Sequence, residues 1–193
     1  YNPSAHLAIV DIVLGVADIL PIRGFGYLVP RNATNNSDEI LGVIFDSDAV
    51  PNQSQRLTKL TVMMGGPYWR HRSSFPNEDD VKERALRALH SQLGLSLLTL
   101  TSHLENIYAR VMTDTIPQYL VGQPQRMAEL KAAIKMHPQW RNRLSLLGYS
   151  YGGVGVNDCI ANAMDTCDAI CNYEQNRSPL SDISGLQPAL FPG

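Results

Sequence analysis

A serine between two glycines is the clearest candidate nucleophile in this sequence. Residues 148–152, Gly-Tyr-Ser-Tyr-Gly, match G-x-S-x-G, the turn that exposes the catalytic serine of α/β hydrolases. In that fold the catalytic histidine follows the serine along the chain, but all five histidines of this sequence precede Ser150. The order therefore predicts a structural Ser150, and a hydrolase that uses this serine stays open as the weaker alternative.

The same glycines belong to a longer stretch, residues 148–155, between a predicted strand at 143–147 and a helix predicted from Asn157 onward. A strand, a glycine turn and a helix are how α/β folds present a helix N-terminus to a ligand. The free N–H groups and the positive end of the helix dipole would favour an anionic group just beyond residues 154–156. The turn lacks the G-x-G-x-x-G spacing of a dinucleotide site, and a tight connection between strand and helix would explain the glycines equally well.

Metal binding and acid–base catalysis find no support in the spacing of side chains. Histidines and carboxylates show no ligand pattern, and Asp46 and Asp48 are interpreted as turn residues at a strand end. The three cysteines, Cys159, Cys167 and Cys171, fall on one face of the last predicted helix, where we expect buried thiols. We therefore predict no metal site and assign no catalytic residue.

A meander of three strands is predicted at residues 24–30, 40–47 and 57–64, with polar loops between them. On one face, single large apolar residues are separated by glycine or a small residue. A flat apolar ligand would fit such a face, although β-bulges or close helix packing are the alternative explanation for the glycines. The large residues of this face are Leu28, Ile44 and Met63, and the opposite, core face takes Phe25, Tyr27, Val29, Leu41, Val43, Phe45, Leu60, Val62 and Met64.

Helices are predicted where capping residues and apolar spacing agree. Asn77, followed by three acidic residues, should begin a helix that Gly94 ends. Residues 95–119 should contain one or two further strands, and a second helix is predicted over 124–136. The expected fold is mixed α/β: an antiparallel meander, then a closing strand, glycine turn and helix, with a tail after Gln175.

The low net charge argues against two classes of partner, nucleic acid and anionic lipid. The chain has 193 residues, 44% of them apolar, so one or two small domains are expected. Its net charge of −2 gives no electrostatic field that would attract nucleic acid. The apolar run from Leu7 to Ile22 contains Asp11 and Asp18 and is too short to span a bilayer. With Tyr1 in place of methionine at its start, the chain is expected to be a piece of a longer protein.

Five sequence blocks occur in a fixed order along the chain. They are Gly24-Phe-Gly-Tyr-Leu-Val-Pro30, Leu41-Gly-Val-Ile-Phe-Asp-Ser47, Thr61-Val-Met-Met-Gly-Gly66, Ile116-Pro-Gln-Tyr119 with Gly122, and Gly148-Tyr-Ser-Tyr-Gly-Gly-Val-Gly-Val-Asn-Asp-Cys159. Together they resemble the C-terminal part of the oxygen-dependent protoporphyrinogen oxidase family, most of all its fungal mitochondrial members. The resemblance covers about residues 21–175, and several blocks in register are more specific than any one motif.

This resemblance implies an FAD enzyme of the superfamily that contains monoamine oxidase. Such an enzyme oxidises protoporphyrinogen IX to protoporphyrin IX with molecular oxygen and releases hydrogen peroxide, in haem synthesis. Carried over by position, Leu28, Ile44 and Met63 would contact the flat tetrapyrrole. They are also the large residues of the glycine-bearing face, so two independent arguments favour a substrate site there.

Contacts with the flavin are implied at two places. Val154, Gly155 and Val156 match the backbone segment that touches the flavin in this family, at the start of the last helix. Tyr68 stands where the family has a tryptophan that touches FAD, and Trp69 lies next to it. Which of the two aromatic residues would contact the flavin stays open.

The resemblance also implies how the chain is divided. Residues 1–120 would belong to the substrate domain, with 1–20 divergent, while 121–175 would close the FAD-binding domain and 176–193 form the tail. The N-terminal FAD fingerprint is absent, so the fragment alone is expected to be inactive, and its partner is the missing N-terminal part. Peripheral association with the mitochondrial inner membrane and a homodimer are further expectations. A non-catalytic module that binds flavin or tetrapyrrole is the alternative.

Overall fold

The structure is a computed structural model that describes residues 3–50, 56–176 and 184–186. The chain divides into two compact units: the sheet unit, Ala5–Thr115, and the helical unit, Tyr1–Ser4 with Ile116–Gly193. This division falls a few residues before the boundary predicted after residue 120. The assignment of the two units to substrate and flavin binding stays a prediction.

A five-stranded sheet dominates the sheet unit. The pairs β2/β3, β3/β4 and β4/β1 are antiparallel, and β5 lies beside β1 at one edge. The strands are β1 (Ser4–Leu14), β2 (Gly26–Leu28), β3 (Ile40–Ile44), β4 (Thr58–Gly65) and β5 (Leu104–Pro117), in the order β2-β3-β4-β1-β5. The predicted meander corresponds to β2, β3 and β4, and with the helices this sheet confirms the mixed fold.

One helix covers the core face of the sheet. The helices of this unit are α1 (Asp46–Ala49), α2 (Glu78–Leu93) and α3 (Leu97–Ser102), with a 3-10 turn at Gly66–Trp69. Asn77 caps α2 by accepting the backbone N–H of Asp80 at 2.9 Å, and Gly94 ends it in left-handed backbone, both as predicted. Its buried residues pack against the alternate side chains of β1, β3 and β4; they are Val81, Ala85, Ala88 and Leu89.

β1 is missing from the predicted elements although the pattern of a strand is present. Residues 8, 10, 12 and 14 are fully buried, which is the period-two signal of a strand with one core face. Asp11 points to the other face, beside Thr61 of β4. Residues 1–20 are expected only to be a divergent segment, but they contain this strand, which lies between β4 and β5.

Two residues predicted for the core face lie elsewhere. Phe25 is 72% exposed because both flanking glycines have positive φ, which breaks the alternation of an extended strand. Leu41 is only half-buried, since a β-bulge between Ile40 and Gly42 shifts the register and Ile40 enters the core instead. Of the others, Tyr27 and Val29 are half-buried, and the buried ones are Val43, Phe45, Leu60, Val62 and Met64.

Two segments predicted as strands are helical. The strand predicted at 40–47 ends at Ile44, and α1 begins at Asp46. Residues 97–102 form α3 because the Ser96 hydroxyl caps that helix, accepting the N–H of Thr99 at 3.0 Å. The strand expected in this region is β5, which begins only after α3 ends.

One carboxylate joins several segments of the sheet unit. Glu39 Oε2 accepts from the indole N–H of Trp69 and from the guanidinium of Arg84, each at 2.9 Å, and Oε1 accepts from Arg72. The backbone C=O of Glu39 accepts the N–H of Gly65 at 3.0 Å. The carboxylate thus holds the 3-10 turn, the loop after it and α2 to the start of β3.

The described residues of the helical unit form two helices, α4 (Gln123–Met136) and α5 (Val156–Asn176). α4 begins one residue before its predicted start. The strand predicted at 143–147 is wrong, because the backbone N–H groups there bond to Trp140 and Ser184 and not to a neighbouring strand. Most of the predicted tail lies outside the described residues, but Leu186 is buried and its C=O accepts from Lys131 at 3.1 Å.

α5 is amphipathic in the opposite sense to the prediction. Asn162 and Thr166 are buried, while the large apolar residues Val156, Ile160 and Met164 face outward. The prediction of buried thiols is wrong for two of the three cysteines, because periodicity identifies a helix face but not what covers it. The outward residues, spaced by three or four, form the α5 stripe: Val156, Ile160, Met164, Cys167 and Cys171. In the described part of the chain, no helix has the length and apolar character to cross a bilayer.

Candidate functional site

The three predicted substrate residues lie on one face of the sheet. Leu28 pairs with Gly42, and Gly42 pairs with Met63, so the two large side chains flank a glycine in one row across three strands. Ile44 is two residues from Gly42 along β3 and therefore points to the same side. This face is turned away from the core: Leu28 is 81% exposed, and Ile44 and Met63 are half-buried.

Gly42 itself has a local explanation. A Cβ at this position would lie 2.5 Å from the backbone oxygen of Tyr27 and 3.0 Å from Cδ2 of Leu28. The residue also adjoins the β-bulge. Close approach of β2 to β3 therefore requires glycine here, and the glycine gives no independent sign of a ligand.

A polar row beside these residues escaped the sequence analysis. The Thr61 hydroxyl lies 2.9 Å from Oδ1 of Asp11 and 2.8 Å from Oδ2 of Asp46. A hydroxyl carries one proton, so only one of the two carboxylates can accept from it at a time. Burial raises the pKa of Asp46 above its usual value, more than the Thr61 hydrogen bond lowers it. Thr61 is paired with Ile44, so this polar group adjoins the apolar row.

Asp48, two residues further on, has the opposite electrostatic environment. Its carboxylate accepts the backbone N–H of Gly24 at 3.2 Å and a guanidinium N–H of Arg23 at 2.5 Å. The Gly24 hydrogen bond and then Arg23 hold the pKa of Asp48 below its usual range. Both aspartates belong to α1, where the sequence analysis expects only turn residues.

The structure distinguishes the two neighbouring aromatic residues after β4. Trp69 is fully buried, and its indole N–H is bonded to Glu39. Tyr68 is half-buried, and its hydroxyl accepts from Nδ2 of Asn36 at 3.1 Å. Only Tyr68 of this pair keeps part of its ring open to a ligand.

The glycine turn, residues 148–155, is shaped by side chains of α5. Gly153 has φ +132°, and a Cβ there would lie 2.6 Å from Cβ of Asp158, so both backbone and space require glycine. The Asp158 carboxylate accepts the N–H of Gly155 at 3.1 Å, and the amide of Asn162 donates to the C=O of Gly152 at 3.0 Å. These contacts leave the segment after Gly153 on the surface.

That exposed segment holds the predicted flavin contacts. Val154 and Val156 are 51% and 75% exposed, and Gly155 is exposed between them. The carboxylate of Asp158 already lies at this N-terminus of α5 and offsets part of its positive potential. The turn therefore offers a ligand exposed backbone, whereas the positive potential of the α5 N-terminus is partly offset by Asp158.

Ser150 does not stand in the surroundings of a nucleophile elbow. No strand precedes it within residues 140–149, and α5 begins only at Val156. Its backbone C=O accepts from Nε2 of Gln123 at 3.4 Å. A strand directly before and a helix directly after the serine are what that motif requires, so the structure weakens the hydrolase alternative.

Metal-binding side chains and surface clefts are the remaining kinds of possible site. Within the ranges 3–50, 56–176 and 184–186, no group of three or more His, Cys, Asp or Glu side chains could hold a metal ion. A shallow cleft of about 320 Å³ lies beside β2, lined by residues 27–30, Ala33, Asn35 and Gln92. It includes Leu28 but neither of the other two predicted substrate residues, so it is not the predicted site.

Sequence comparison finds relatives over most of the chain. The chain is 34% identical over 180 residues to the protoporphyrinogen oxidase of Schizosaccharomyces pombe, covering 92% of this chain and 35% of that protein. It is 32% identical over 162 residues to the human protoporphyrinogen oxidase, covering 81% and 32%. The chain thus spans about a third of the length of these relatives. No family profile matches it.

Structure comparison agrees in fold. A crystal structure from Exiguobacterium sp. 255-15, described as a candidate protoporphyrinogen oxidase, superposes with a TM-score of 0.68. The superposition covers 88% of this chain and 35% of the bacterial chain, at 22% sequence identity. At this identity the likeness shows a shared fold.

These findings first define the chain as a relative of oxidoreductases, and its mixed sheet-and-helix fold is shared with a bacterial crystal structure. More particularly, its relatives are protoporphyrinogen oxidases, fungal ones among them, and the resemblance of the five sequence blocks is confirmed.

Proposed function

We propose that this chain is the C-terminal part of an FAD-dependent protoporphyrinogen oxidase. The complete enzyme would oxidise protoporphyrinogen IX to protoporphyrin IX with molecular oxygen and release hydrogen peroxide, in porphyrin and haem synthesis. The observation that carries the proposal is the 34% identity to the fission-yeast enzyme across 92% of the chain. Because the chain spans about a third of that relative, turnover is assigned to the complete enzyme and not to these residues alone.

The substrate would lie against the open face of the sheet. Leu28, Ile44 and Met63 supply adjacent apolar side chains on that face, and two of them remain half-buried without a ligand. A tetrapyrrole is broad and largely apolar, so covering such a face removes apolar surface of both partners from water. These residues bind and orient the ring and exclude water; none of them has a group that could transfer a proton.

The residues of this chain fit one end of FAD. The backbone of Val154, Gly155 and Val156 is exposed, and Gly155 carries no side chain that would keep a flat ring system away from it. Tyr68 offers a partly open ring for stacking, whereas Trp69 is enclosed in the core. When bound, FAD supplies the acceptor for electrons taken from the substrate. The adenosine and pyrophosphate would be held by the missing N-terminal part, since the chain contains no G-x-G-x-x-G.

The same missing part is the proposed cover of the α5 stripe. An apolar helix face that stays exposed in one fragment is expected to be buried in the complete protein. Peripheral association with the mitochondrial inner membrane and a homodimer are also part of the proposal, and the family resemblance is what supports them.

A chimera tests the proposed function. This chain would replace the matching residues of the fission-yeast enzyme, and conversion of protoporphyrinogen would be followed by protoporphyrin fluorescence. We expect retained FAD and turnover, and the fission-yeast N-terminal part alone is the control. A soluble chimera that holds FAD but forms no protoporphyrin would support the non-catalytic binding module instead.

The hydrolase alternative has its own test. Hydrolysis of an activated ester by the chain, with loss of that hydrolysis in Ser150→Ala, would revive it. We expect no difference between the wild type and this variant, because the turn around Ser150 lacks the required strand and helix.

A further inference from the structure

We infer that Tyr119 is a positioning residue that holds the glycine turn in the conformation that presents residues 154–156. The Tyr119 hydroxyl accepts the backbone N–H of Gly153 at 2.9 Å and donates to the backbone C=O of Tyr149. One phenol oxygen thus joins two points of the turn that are four residues apart. The inference rests on the proposed function only where it concerns flavin.

A second side chain from the same segment strengthens this contact. Gln123, which is buried, donates from Nε2 to the C=O of Ser150 at 3.4 Å. Its Oε1 accepts from Arg126 at 2.8 Å, which fixes the orientation of the amide. Tyr119 lies four residues before α4 and Gln123 is its first residue, so the N-terminal end of this helix holds the glycine turn from outside α5.

The glycine turn needs such a clamp because of its composition. Residues 148, 152, 153 and 155 are glycines, and glycine loses more conformational freedom on ordering than any other residue. Gly153 has φ +132°. Local sterics allow a glycine other backbone conformations as readily as this one. A hydrogen bond to its N–H from a side chain outside the turn selects one backbone path. Residues 154–156 follow directly, so their position depends on that path.

The consequence for binding follows from populations. If only a fraction of molecules hold residues 154–156 in the competent arrangement, the apparent affinity for a ligand is reduced by that fraction. Two hydrogen bonds of ordinary strength correspond to a factor of about 5 to 150 in such an equilibrium. Loss of the Tyr119 hydroxyl is therefore expected to weaken flavin binding by about tenfold while leaving the fold intact, because the ring stays in place.

Tyr119→Phe tests the clamp, with Tyr149→Phe as the matched control. The control loses a neighbouring phenol oxygen, but Tyr149 takes part in the clamp through its backbone C=O, which that variant keeps. In the 193-residue chain, backbone hydrogen exchange of residues 148–155 would be measured by mass spectrometry. We expect at least about fivefold faster exchange in Tyr119→Phe and wild-type exchange in the control. Unchanged exchange in Tyr119→Phe would overturn the clamp, whether or not the proposed function is correct.

The role toward flavin is measured separately, in the chimera with the fission-yeast enzyme. We expect the dissociation constant for FAD to rise about tenfold in Tyr119→Phe and to stay at the wild-type value in Tyr149→Phe. Faster exchange with unchanged FAD affinity would overturn the positioning role. A wild-type chimera that binds no FAD would count against the proposed function and this role together, and the exchange result would still decide on the clamp.

Discussion

Met63 and Met64 are neighbours with the same side chain and opposite surroundings. Met64 is fully buried in the core beneath α2, whereas Met63 is half-buried on the open face beside Gly42. The difference follows from the period of the strand, which sends successive side chains to opposite faces. A substitution at each position therefore separates binding from folding.

Met63→Asp and Met64→Asp are expected to fail in different ways. In the chimera, Met63→Asp should stay soluble, retain FAD and lose protoporphyrinogen turnover, because a charge would lie where the apolar ring must rest. Met64→Asp should lose soluble protein first, since an unpaired charge in the core costs more than about 3 kcal/mol. Soluble yield, flavin absorbance and porphyrin fluorescence are the measurements. Equal loss of solubility, or normal turnover in Met63→Asp, would contradict the assignment of faces or of the site.

Asp46 and Asp48 predict opposite dependences of stability on pH. The pKa of Asp46 is raised, so the fold favours its neutral form, and its contribution to stability declines as the pH rises through the range above the unfolded value of about 4. The pKa of Asp48 is lowered, so its contribution is present above that value and is lost as the pH falls below it.

The corresponding asparagine variants test these signs. Relative to wild type, Asp46→Asn should gain stability as the pH rises from about 4 to 7, because it removes an unfavourable buried charge. Asp48→Asn should lose stability at neutral pH and approach wild type under acid conditions. Urea unfolding midpoints across about pH 3 to 7 measure both. A change of the same sign in both variants at neutral pH would contradict the assigned environments.

At the scale of elements, prediction from sequence succeeded where the signals are local. α2 has a capping residue, first-turn acids and a terminal glycine, and its bounds follow from these alone. The side-chain faces of β3 and β4 follow from alternation as far as the bulge at Gly42, which no local residue announces. Residues 143–147 have the sequence pattern of a strand but form none, because a strand needs a neighbouring strand for its backbone hydrogen bonds.

α5 shows the same boundary between local and non-local information. Its helical spacing predicts the helix but leaves two possible inner faces, one with Asn162 and Thr166 and one with the α5 stripe. The choice depends on what the rest of the molecule places against each face. The open face of the sheet, the proposed substrate site, shows the same boundary. Alternation groups Leu28, Ile44 and Met63 on it, but the polar contact of Thr61 with Asp11 requires β1.

Ile160→Lys tests the proposed cover of the α5 stripe, and Ala161→Lys is the control. Both positions are exposed in this chain, but Ala161 lies off the stripe. We expect both variants of the isolated chain to keep the wild-type unfolding midpoint, because neither position is packed. In the chimera, Ile160→Lys should lower soluble yield and FAD content severalfold, since a lysine would be buried against the N-terminal part. Equal behaviour of the two chimeras would contradict burial of the stripe.

At the scale of the whole molecule, the chain spans about a third of the length of its relatives. Its predicted flavin contacts are limited to Tyr68 and residues 154–156. Binding of FAD depends on contacts along the whole dinucleotide, and most of these belong to the fingerprint region in such folds.

The purified 193-residue chain is therefore not expected to retain FAD. Equilibrium dialysis with FAD measures this directly, and the chimera is the positive control. Tight, stoichiometric binding by the isolated chain would show that the flavin site is complete within it, contrary to the proposed division between the two parts of the enzyme.

Three segments of the sheet unit are bonded to one side chain, that of Glu39, and this affects how the unit is expected to unfold. Its carboxylate is shared by residues 30, 33 and 45 positions further along the chain, so the 3-10 turn, the following loop and α2 share one anchor. Loss of the Glu39 carboxylate would remove this contact from all three segments at once. We therefore expect the start of β3, the 3-10 turn with the loop after it, and α2 to open together in native-state hydrogen exchange, and Glu39→Ala to give these segments different opening free energies.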